Sequence, residues 1–259
     1  MLIPFSKYHG TGNDFVMIDN RELDLSLSQS EIAQLCNRRF GIGADGLILL
    51  EVEQGVVKMV YYNSDGAPSS MCGNGGRCFV NFCQRLEILA EKGEFLAVDG
   101  MHPFKMEDDL VSLKMGDVPS IEAIGDAVFL NTGSPHYVQM VEDVLQVDLV
   151  NEARKVRYNE RFAAKGTNVN FVEMMDGTAH IRTYERGVED ETLSCGTGAV
   201  ACAIAMRHFG LVMDTQMPIK VLGGNLHISF EPNTQGGYTN VWLTGPTERV
   251  FEGSISLKK

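Results

Sequence analysis

One motif occurs twice in the chain, and the two copies constrain its fold more than any other feature. Cys72 opens a Cys-Gly-x-Gly motif ahead of an apolar run, and Cys195 opens a second copy ahead of another. A glycine stands 29 residues before each cysteine, Gly43 in the first half and Gly166 in the second. Both halves also share the order Thr-Gly, helical segment, strand-like segments, cysteine motif. This repeated order predicts two domains of similar fold.

The rest of the chain alternates helical and strand-like patterns, which indicates an α/β protein. With 259 residues it is long for one domain and short for three, so two domains are expected. The Gly-Asp-Val-Pro stretch at 116–119 is the best candidate for a boundary. We therefore predict an N-terminal half, residues 1–116, carrying Cys72, and a C-terminal half, residues 117–259, carrying Cys195. The last residues of the chain are free to return to the first half.

Local patterns place the main helices and one hairpin. A capping-box pattern followed by apolar residues at helical spacing predicts a helix over 28–40. The same spacing predicts a helix over 72–93 and another, apolar nearly all round, over 195–210. An apolar helix of that kind is normally buried inside a domain. Two alternating runs around Asp176 and Gly177 predict a β-hairpin.

Composition excludes several classes of function. The formal net charge is −12, from 22 basic and 34 acidic residues, which argues against nucleic acid or an anionic membrane as a partner. The first residues lack the basic and apolar regions of a signal peptide, so a cytoplasmic location is expected. Six cysteines are too few for a disulfide scaffold at this length. The sequence contains no Cys-x-x-Cys pair, so a structural zinc site is not expected.

A cysteine at a helix start lies against the positive end of the helix dipole, which favours the thiolate. The glycines after it leave the first-turn N–H groups open to an anion. Those N–H groups belong to Gly73, Asn74, Gly196 and Thr197. If both motifs face one cleft between the domains, one thiolate can remove an α-proton while the other thiol delivers a proton to the opposite face. The pattern thus favours racemisation or epimerisation of an α-amino acid by Cys72 and Cys195.

Simpler interpretations stay open for each motif alone. A single Cys-Gly-x-Gly can be a tight turn into a helix, and a single cysteine is usually a small packed hydrophobe. On that view the chain is a non-catalytic amino-acid-binding protein. A thiol-redox enzyme fits less well, because it would normally use Cys-x-x-Cys or a dedicated pair. The matching contexts of the two motifs favour catalysis, and the other four cysteines are predicted to be core residues.

Five segments together resemble diaminopimelate epimerase. They are HGTGNDFVMID, NSDGAPSSMCGNGGRC, TGSPH, GTNVNFVE and YERGVEDETLSCGTGA, and they follow one another through nearly the whole chain. The resemblance implies a cofactor-independent enzyme with two similar domains, each wrapping β-strands round a central helix. Its implied substrate pair is LL- and meso-diaminopimelate, which serve lysine and, in most bacteria, peptidoglycan synthesis.

The resemblance also implies roles for individual residues. Cys72 and Cys195 would be the acid–base pair, with His136 near Cys72 and Glu185 near Cys195 adjusting their proton affinities. The implied substrate-binding residues are Asn13, Asn63, Gly73, Asn74, Asn168, Glu185, Arg186, Gly196 and Thr197. Glu185 and Arg186 would meet the distal amino and carboxylate groups, since the fork of arginine donors suits a carboxylate.

This chain departs from the family pattern in three places. Ser134 stands where many relatives have Asn, Gly46 where some have Gln, and the loop containing Glu189 is one residue longer than usual. A proline or hydroxyproline racemase of the same architecture is the nearest rival, although those enzymes typically have His in place of Asn74 and need no distal Glu-Arg pair. A homodimer would be compatible with either enzyme.

Overall fold

The computed structural model describes residues 2–256, and packing divides them into two units. The first unit runs from the start of the chain to Leu113 and resumes at Pro246, and the second comprises Lys114–Gly245. The boundary expected from the sequence, after residue 116, lies close to this division. Strands dominate both units, and four α-helices occur in the described residues. The predicted α/β class is confirmed.

The first unit wraps eight strands round one central helix. Its strands are β1 (Leu2–Gly10), β2 (Asn13–Asp19), β3 (Gly46–Glu53), β4 (Val56–Asn63), β5 (Lys92–Ala97), β6 (Gly100–Glu107), β7 (Leu110–Lys114) and β17 (Glu248–Ser256). Its helices are α1 (Gln29–Cys36) and the central α2 (Gly73–Arg85). The strand order is β17-β1-β2-β3-β4-β5-β6-β7, with β2–β3 and β4–β5 parallel and the other pairs antiparallel.

The second unit repeats this plan. Its strands are β8 (Ile121–Ile124), β9 (Ala127–Asn131), β10 (Pro135–Met140), β11 (Asn168–Met175), β12 (Thr178–Glu185), β13 (Asp190–Thr192), β14 (Gln216–Val221), β15 (Gly224–Pro232) and β16 (Tyr238–Pro246). Its helices are α3 (Leu149–Arg157) and the central α4 (Gly196–His208). The order is β8-β9-β10-β11-β12-β14-β15-β16, with β10–β11 and β12–β14 parallel and β13 added beside β12.

The two units therefore share one topology. In each, an antiparallel pair leads into an outer helix, a parallel neighbour follows, and a hairpin precedes the central helix. The hairpin predicted at Asp176 and Gly177 is present, and both residues have positive φ, 50° and 78°. Positive φ at both central residues suits the twist of a two-residue hairpin turn. The two similar folds predicted from the repeat are confirmed.

Strand alternation buries both faces of the sheet in the first unit. On β2, Phe15 and Met17 pack in the cluster around α2, whereas Val16 and Ile18 pack in the cluster that includes α1. The neighbouring strand β3 alternates in the same way. Successive side chains of a strand point to opposite faces, so one strand supplies both cores. The sheet of this unit thus packs α2 against one face and α1 against the other.

The central helix of the second unit is buried on all sides. From Ala199 to Met206 every residue of α4 is fully buried, and most of these side chains are small. Small side chains let the surrounding strands approach the helix closely. The predicted apolar, fully buried helix is confirmed, and it carries Cys195 at its N-cap.

Two helices are shorter than the sequence pattern predicts. The helix expected over 28–40 has the predicted capping box but ends at Cys36, because the Asn37 side chain accepts the N–H groups of the next turn. Phe40, at helical spacing, is therefore 79% exposed. The helix expected over 72–93 ends at Arg85, and Glu87 takes a positive φ of 59° that a helix cannot continue through.

Within residues 2–256 none of the helices combines the length and the apolar character needed to cross a membrane.

We expect Phe79→Ala to lower the free energy of unfolding by about 3–5 kcal/mol, because it removes a buried ring and leaves a cavity. Phe79 is fully buried in α2 and its ring lies 5.1 Å from that of Phe95. Urea unfolding followed by circular dichroism measures the change. Phe40→Ala is the matched control, since Phe40 is largely exposed. Equal effects of the two substitutions would contradict the packing described.

Candidate active site

Cys72 is the N-cap residue of α2, as the sequence predicts. Its backbone is extended, with φ −102° and ψ 128°, and the helix begins at Gly73. Gly73 and Asn74 are buried in the first turn, where N–H groups have no partner within the helix. The thiol and two first-turn N–H groups thus lie together, which provides the positive helix end expected of a carboxylate-binding site.

A directed chain of side-chain amides leads away from Cys72. Asn74 Nδ2 donates to Asn13 Oδ1 at 3.2 Å, and Asn13 Nδ2 donates to Asp45 Oδ2 at 2.8 Å. Asp45 can only accept when ionised, so it fixes the orientation of the Asn13 amide. The Asn13 carbonyl oxygen consequently faces the Cys72 thiol, with Sγ to Oδ1 at 3.6 Å. Asp45 therefore orients a predicted substrate contact.

Arg38 supports this chain from its far end. Its guanidinium donates to Asp45 Oδ1 at 2.7 Å and to both oxygens of Asp14, at 2.9 and 2.7 Å. Lys7, buried in β1, pairs with the same Asp14 at 2.7 Å. Although burial disfavours its charge, these bonds hold the pKa of Asp14 well below its ordinary value. Asp14 is thus kept ionised, and Arg38 links it to Asp45 at the end of the amide chain.

Cys195 occupies the equivalent N-cap position of α4 and is 7% exposed. Its Sγ lies 3.5 Å from the hydroxyl of Thr197, and that hydroxyl lies 2.9 Å from Nε2 of His136. His136 is fully buried on β10. The structure therefore connects His136 through Thr197 to the thiol of its own unit. The expected position of His136 near Cys72, which belongs to the other unit, stays a prediction.

The tautomer of His136 follows from two neighbouring amides. Asn170 Nδ2 donates to the Tyr137 carbonyl at 3.0 Å, which fixes its orientation and makes its second hydrogen a donor to His136 Nδ1 at 3.1 Å. Nδ1 is then an acceptor and Nε2 carries the proton. Asn168 uses its Nδ2 hydrogens on Pro135 O and the Ser134 hydroxyl, at 3.0 and 2.9 Å. His136 thus donates to Thr197, whose own hydrogen is left to point at Cys195.

Burial lowers the pKa of His136 to about 3. The imidazole is therefore neutral at physiological pH, and the chain through Thr197 is made of neutral hydrogen bonds. Gly198 makes this arrangement possible, because a Cβ at that position would lie 2.7 Å from Asn170 Oδ1. Sequence analysis assigned no role to Asn170, although this residue lies inside the segment GTNVNFVE.

The predicted Glu185–Arg186 pair lies on the turn that leaves β12. Arg186 N donates to Asn168 Oδ1 at 2.8 Å, so Asn168 fixes the turn from β11. The Arg186 side chain is exposed, and its Nη1 donates to Lys165 O at 3.0 Å. Its stem passes over Gly166, where a Cβ would lie 2.6 Å from Arg186 Cδ. Glu185 accepts a bond from the Thr192 hydroxyl at 3.0 Å.

Glu189, in the longer loop, anchors this turn. Its carboxylate accepts bonds from Arg157 Nη2 at 3.0 Å, from the Tyr158 hydroxyl at 3.0 Å and from the Tyr184 hydroxyl at 3.2 Å. Its own N–H donates to Glu185 O at 2.8 Å. Glu189 therefore fixes the turn that presents Arg186. The greater length of this loop relative to the family stays a prediction, and the sequence did not indicate these contacts.

The other predicted positions fall at strand ends. Asn63 ends β4 opposite Gly46 on β3, and its carbonyl accepts the N–H of Gly66 in a tight turn. Gly46 is required sterically, since a Cβ there would lie 2.5 Å from the Tyr61 ring. The Ser134 hydroxyl accepts a hydrogen bond from Asn168 Nδ2.

Among residues 2–256 no group of three His, Cys, Asp or Glu side chains could hold a metal ion.

Comparison with known proteins identifies the family. A family model described as diaminopimelate epimerase matches residues 5–118 and 128–250. The chain belongs to the diaminopimelate epimerase family. It is 51% identical over 253 residues to the diaminopimelate epimerase of Flavobacterium psychrophilum, covering 96% of this chain and 98% of that one. It is 39% identical to the Aquifex aeolicus diaminopimelate epimerase, covering 97% of each.

Solved structures show the same fold at low sequence identity. A PhzF-family phenazine biosynthesis protein of Bacillus anthracis aligns with a TM-score of 0.76 and 11% identity, over 99% of this chain and 100% of that one. A hydroxyproline epimerase of Agrobacterium vitis aligns with a TM-score of 0.70 and 12% identity, over 100% and 93%. At such identities the likeness concerns the fold alone. The sequence match to diaminopimelate epimerases therefore does not favour the proline-racemase alternative.

We expect the His136 imidazole to stay neutral, protonated at Nε2, from about pH 5 to pH 8, because its buried site excludes the charged form. Nitrogen-15 NMR of labelled protein reports both the charge and the tautomer, and the His136→Gln spectrum assigns the resonance. An imidazolium signal at about pH 6 would contradict the site described.

The lowered pKa of His136 also makes the free energy of unfolding depend on pH. An unfolded histidine binds a proton below about pH 6.5, whereas folded His136 does so only near its lowered pKa of about 3. Stability is therefore lost as the pH falls from about 6.5 towards 3. We expect His136→Gln to weaken this part of the acid dependence, measured by urea unfolding at several pH values.

Proposed function

We propose that the chain interconverts LL-2,6-diaminopimelate and meso-2,6-diaminopimelate by a two-base mechanism. The observation that carries the proposal is the match to diaminopimelate epimerases over residues 5–118 and 128–250. A cysteine at the N-cap of the central helix in each unit supports it, because two separate thiols are what the reaction needs. The product serves lysine and peptidoglycan precursor synthesis.

In the proposed mechanism, Cys72 and Cys195 act on opposite faces of one α-carbon. One sulfur, as thiolate, takes the α-proton, and the other, as thiol, gives a proton to the opposite face, so that configuration inverts. The electron pair of the broken C–H bond is held towards the α-carboxylate until the new C–H bond forms. First-turn N–H groups of Gly73, Asn74, Gly196 and Thr197 would stabilise that negative charge.

The distal end of the substrate would be read by Glu185 and Arg186. Arg186 is exposed and uses one nitrogen on Lys165 O, which leaves other donors of its planar fork for a carboxylate. Asn168 and Glu189 hold the turn that carries it. Asn13 and Asn63 would complete the substrate contacts from the first unit.

Other parts of the sequence-based interpretation stay predictions. They are a cytoplasmic location, a homodimer, and a reaction that needs neither metal nor organic cofactor. A metal chelator and a carbonyl reagent, each added to the dialysed protein, test the last of these through their effect on turnover.

We expect the reduced protein to convert LL-diaminopimelate to the meso form in deuterated water, with deuterium at the inverted carbon. Solvent enters there because the delivered proton comes from an exchangeable thiol. Chiral chromatography with mass spectrometry measures both quantities, and proline is the parallel substrate. Exchange on proline without exchange on diaminopimelate would transfer the mechanism to another substrate. No exchange on either would favour the binding-protein interpretation.

Cys72→Ser and Cys195→Ser should each reduce turnover by at least about a hundredfold, since a hydroxyl is a far weaker acid–base group than a thiol at neutral pH. Cys36→Ala is the control, because Cys36 is buried at the C-terminal end of α1 and burial raises its pKa to about 12. Circular dichroism checks that each variant is folded. Wild-type turnover in either serine variant would remove that cysteine from the mechanism.

Arg186→Ala should raise KM for diaminopimelate by about tenfold or more, because it removes a charge-assisted hydrogen bond to the distal carboxylate. Steady-state kinetics with diaminopimelate, and inhibition by amino acids that lack the distal group, separate recognition from chemistry. Arg161→Ala is the control, as Arg161 pairs with Glu122 on the surface of the same unit. Unchanged discrimination between long and short ligands would oppose the assignment.

A further inference from the structure

Arg77 is a fully buried arginine in the second turn of α2, directly behind Cys72 and the first turn. A guanidinium stays protonated at any ordinary pH, so its full positive charge lies inside the protein. Burying a charge without a partner of opposite sign is costly, and such charges are normally paired. Arg77 therefore requires a physical explanation that core packing does not supply.

The hydrogen bonds of Arg77 all point towards the start of α2. Its Nη2 donates to Asn74 Oδ1 at 3.0 Å and to the Thr11 hydroxyl at 3.5 Å, and its Nη1 donates to Gly73 O at 3.4 Å. Its Nε is buried and finds no hydrogen-bond partner among residues 2–256. These acceptors are neutral. The positive charge is thus solvated in part, but it is not neutralised by a carboxylate.

Two thiols, Cys78 and Cys72, are the ionisable groups within residues 2–256 whose charge would act on Arg77. Cys78 is fully buried, and burial raises its pKa far above the ordinary value, so it stays a neutral thiol. Cys72 is only partly buried, at the helix N-cap. Of these two thiols, Cys72 is therefore the one that can supply a negative charge to Arg77.

The second unit lacks this cation. Five residues after Cys195 in α4, at the position that matches Arg77, stands Val200, which is fully buried. The same fold accepts an apolar side chain there, so packing of the central helix does not demand an arginine. The thiol of the second unit has neutral partners, Thr197 and through it His136. The central helix of the second unit thus has no arginine at the position that Arg77 takes behind Cys72.

We propose that Arg77 is a positioning residue that favours the thiolate of Cys72 through its buried charge and holds Asn74 in the donor orientation it needs in the first turn. The role rests on the proposed function, because it concerns the proton affinity of one of the two proposed acid–base groups. The Asn13 carbonyl that faces Cys72 opposes the thiolate, but a thiol is a weak hydrogen-bond donor. A full charge in buried surroundings has the larger effect.

Three titratable groups around α2, namely Tyr8, Cys83 and Asp14, keep one charge state between about pH 6 and pH 9. Burial raises the pKa of Tyr8 on β1 to about 12 and holds that of Cys83 far above the ordinary thiol value. Asp14 on β2 stays ionised, and Asp45 before β3 is paired with Arg38. His9 on β1 lies towards Glu248, 3.4 Å from its carboxylate, and a His9→Gln variant controls for it.

The test is the pH dependence of Cys72 alkylation by iodoacetamide, read by peptide mass spectrometry in a Cys195→Ser background. This readout does not require turnover, so it is independent of the proposed substrate. We expect Arg77→Gln and Arg77→Met to move the midpoint of the profile upwards by about one pH unit or more, which corresponds to about tenfold slower alkylation below the midpoint. Arg77→Lys, which keeps the charge, should restore most of the wild-type profile.

Two controls make the result specific. Arg85→Gln removes the same charge from an exposed position at the end of the same helix and should leave the midpoint unchanged. In a Cys72→Ser background, Arg77→Gln should leave the alkylation profile of Cys195 unchanged. An unmoved Cys72 midpoint in folded Arg77→Gln and Arg77→Met would overturn the proposal, and so would equal shifts caused by Arg85→Gln.

Thermal unfolding separates this role from a structural one. Because Arg77→Met removes a buried charge that no carboxylate neutralises, we expect the variant to be at least as stable as the wild type. Turnover should fall while the fold is kept. Failure of both Arg77→Met and Arg77→Gln to fold would show that the cation serves the fold, and would overturn the proposal.

Discussion

The structure depends on how each unit buries the first turn of its central helix. The first N–H groups of a helix have no hydrogen-bond partners within the helix. When the helix start is buried, these groups need polar groups of the surrounding protein or of a ligand as partners. In both units a cysteine occupies the N-cap and glycines follow it. The helix end is therefore kept free of bulky side chains, which is the physical basis for the proposed anion site.

The two units meet this requirement in different ways. In the parallel pair of the first unit, Phe15 faces Gly46, and in that of the second unit His136 faces Asn168. The apolar ring of Phe15 thus stands where the second unit has an imidazole. Polar support for α2 comes from its own Arg77 and from Asn13 on β2, whereas support for α4 comes from the surrounding strands. The central helix of the first unit thus has a buried cation in its second turn, where that of the second unit has the apolar Val200.

Such asymmetry suits an acid–base pair. A reaction that inverts a carbon needs one sulfur deprotonated while the other is protonated, and two identical settings would give no preference for either state. The glycines in the first turn of each central helix also leave room for different neighbouring side chains. A Cβ at Gly75 would meet Phe15 at 3.3 Å and Ile48 at 3.1 Å, whereas a Cβ at Gly198 would meet the Asn170 amide. The absence of a side chain at Gly75 and Gly198 therefore leaves space for Phe15 and Ile48 in the first unit and for Asn170 in the second.

The sequence by itself determined the repeat, the α/β class and the placement of both cysteines at helix starts, because these depend on glycine positions and apolar spacing that are read locally. It also carried the family motifs. Only the tertiary structure showed that Arg77 reaches the Thr11 hydroxyl, that Asp45 orients Asn13 and that Asn170 donates to His136. Such contacts join residues far apart in the chain and depend on strand register, where a shift of one residue turns every side chain to the other face. No local pattern contains that register.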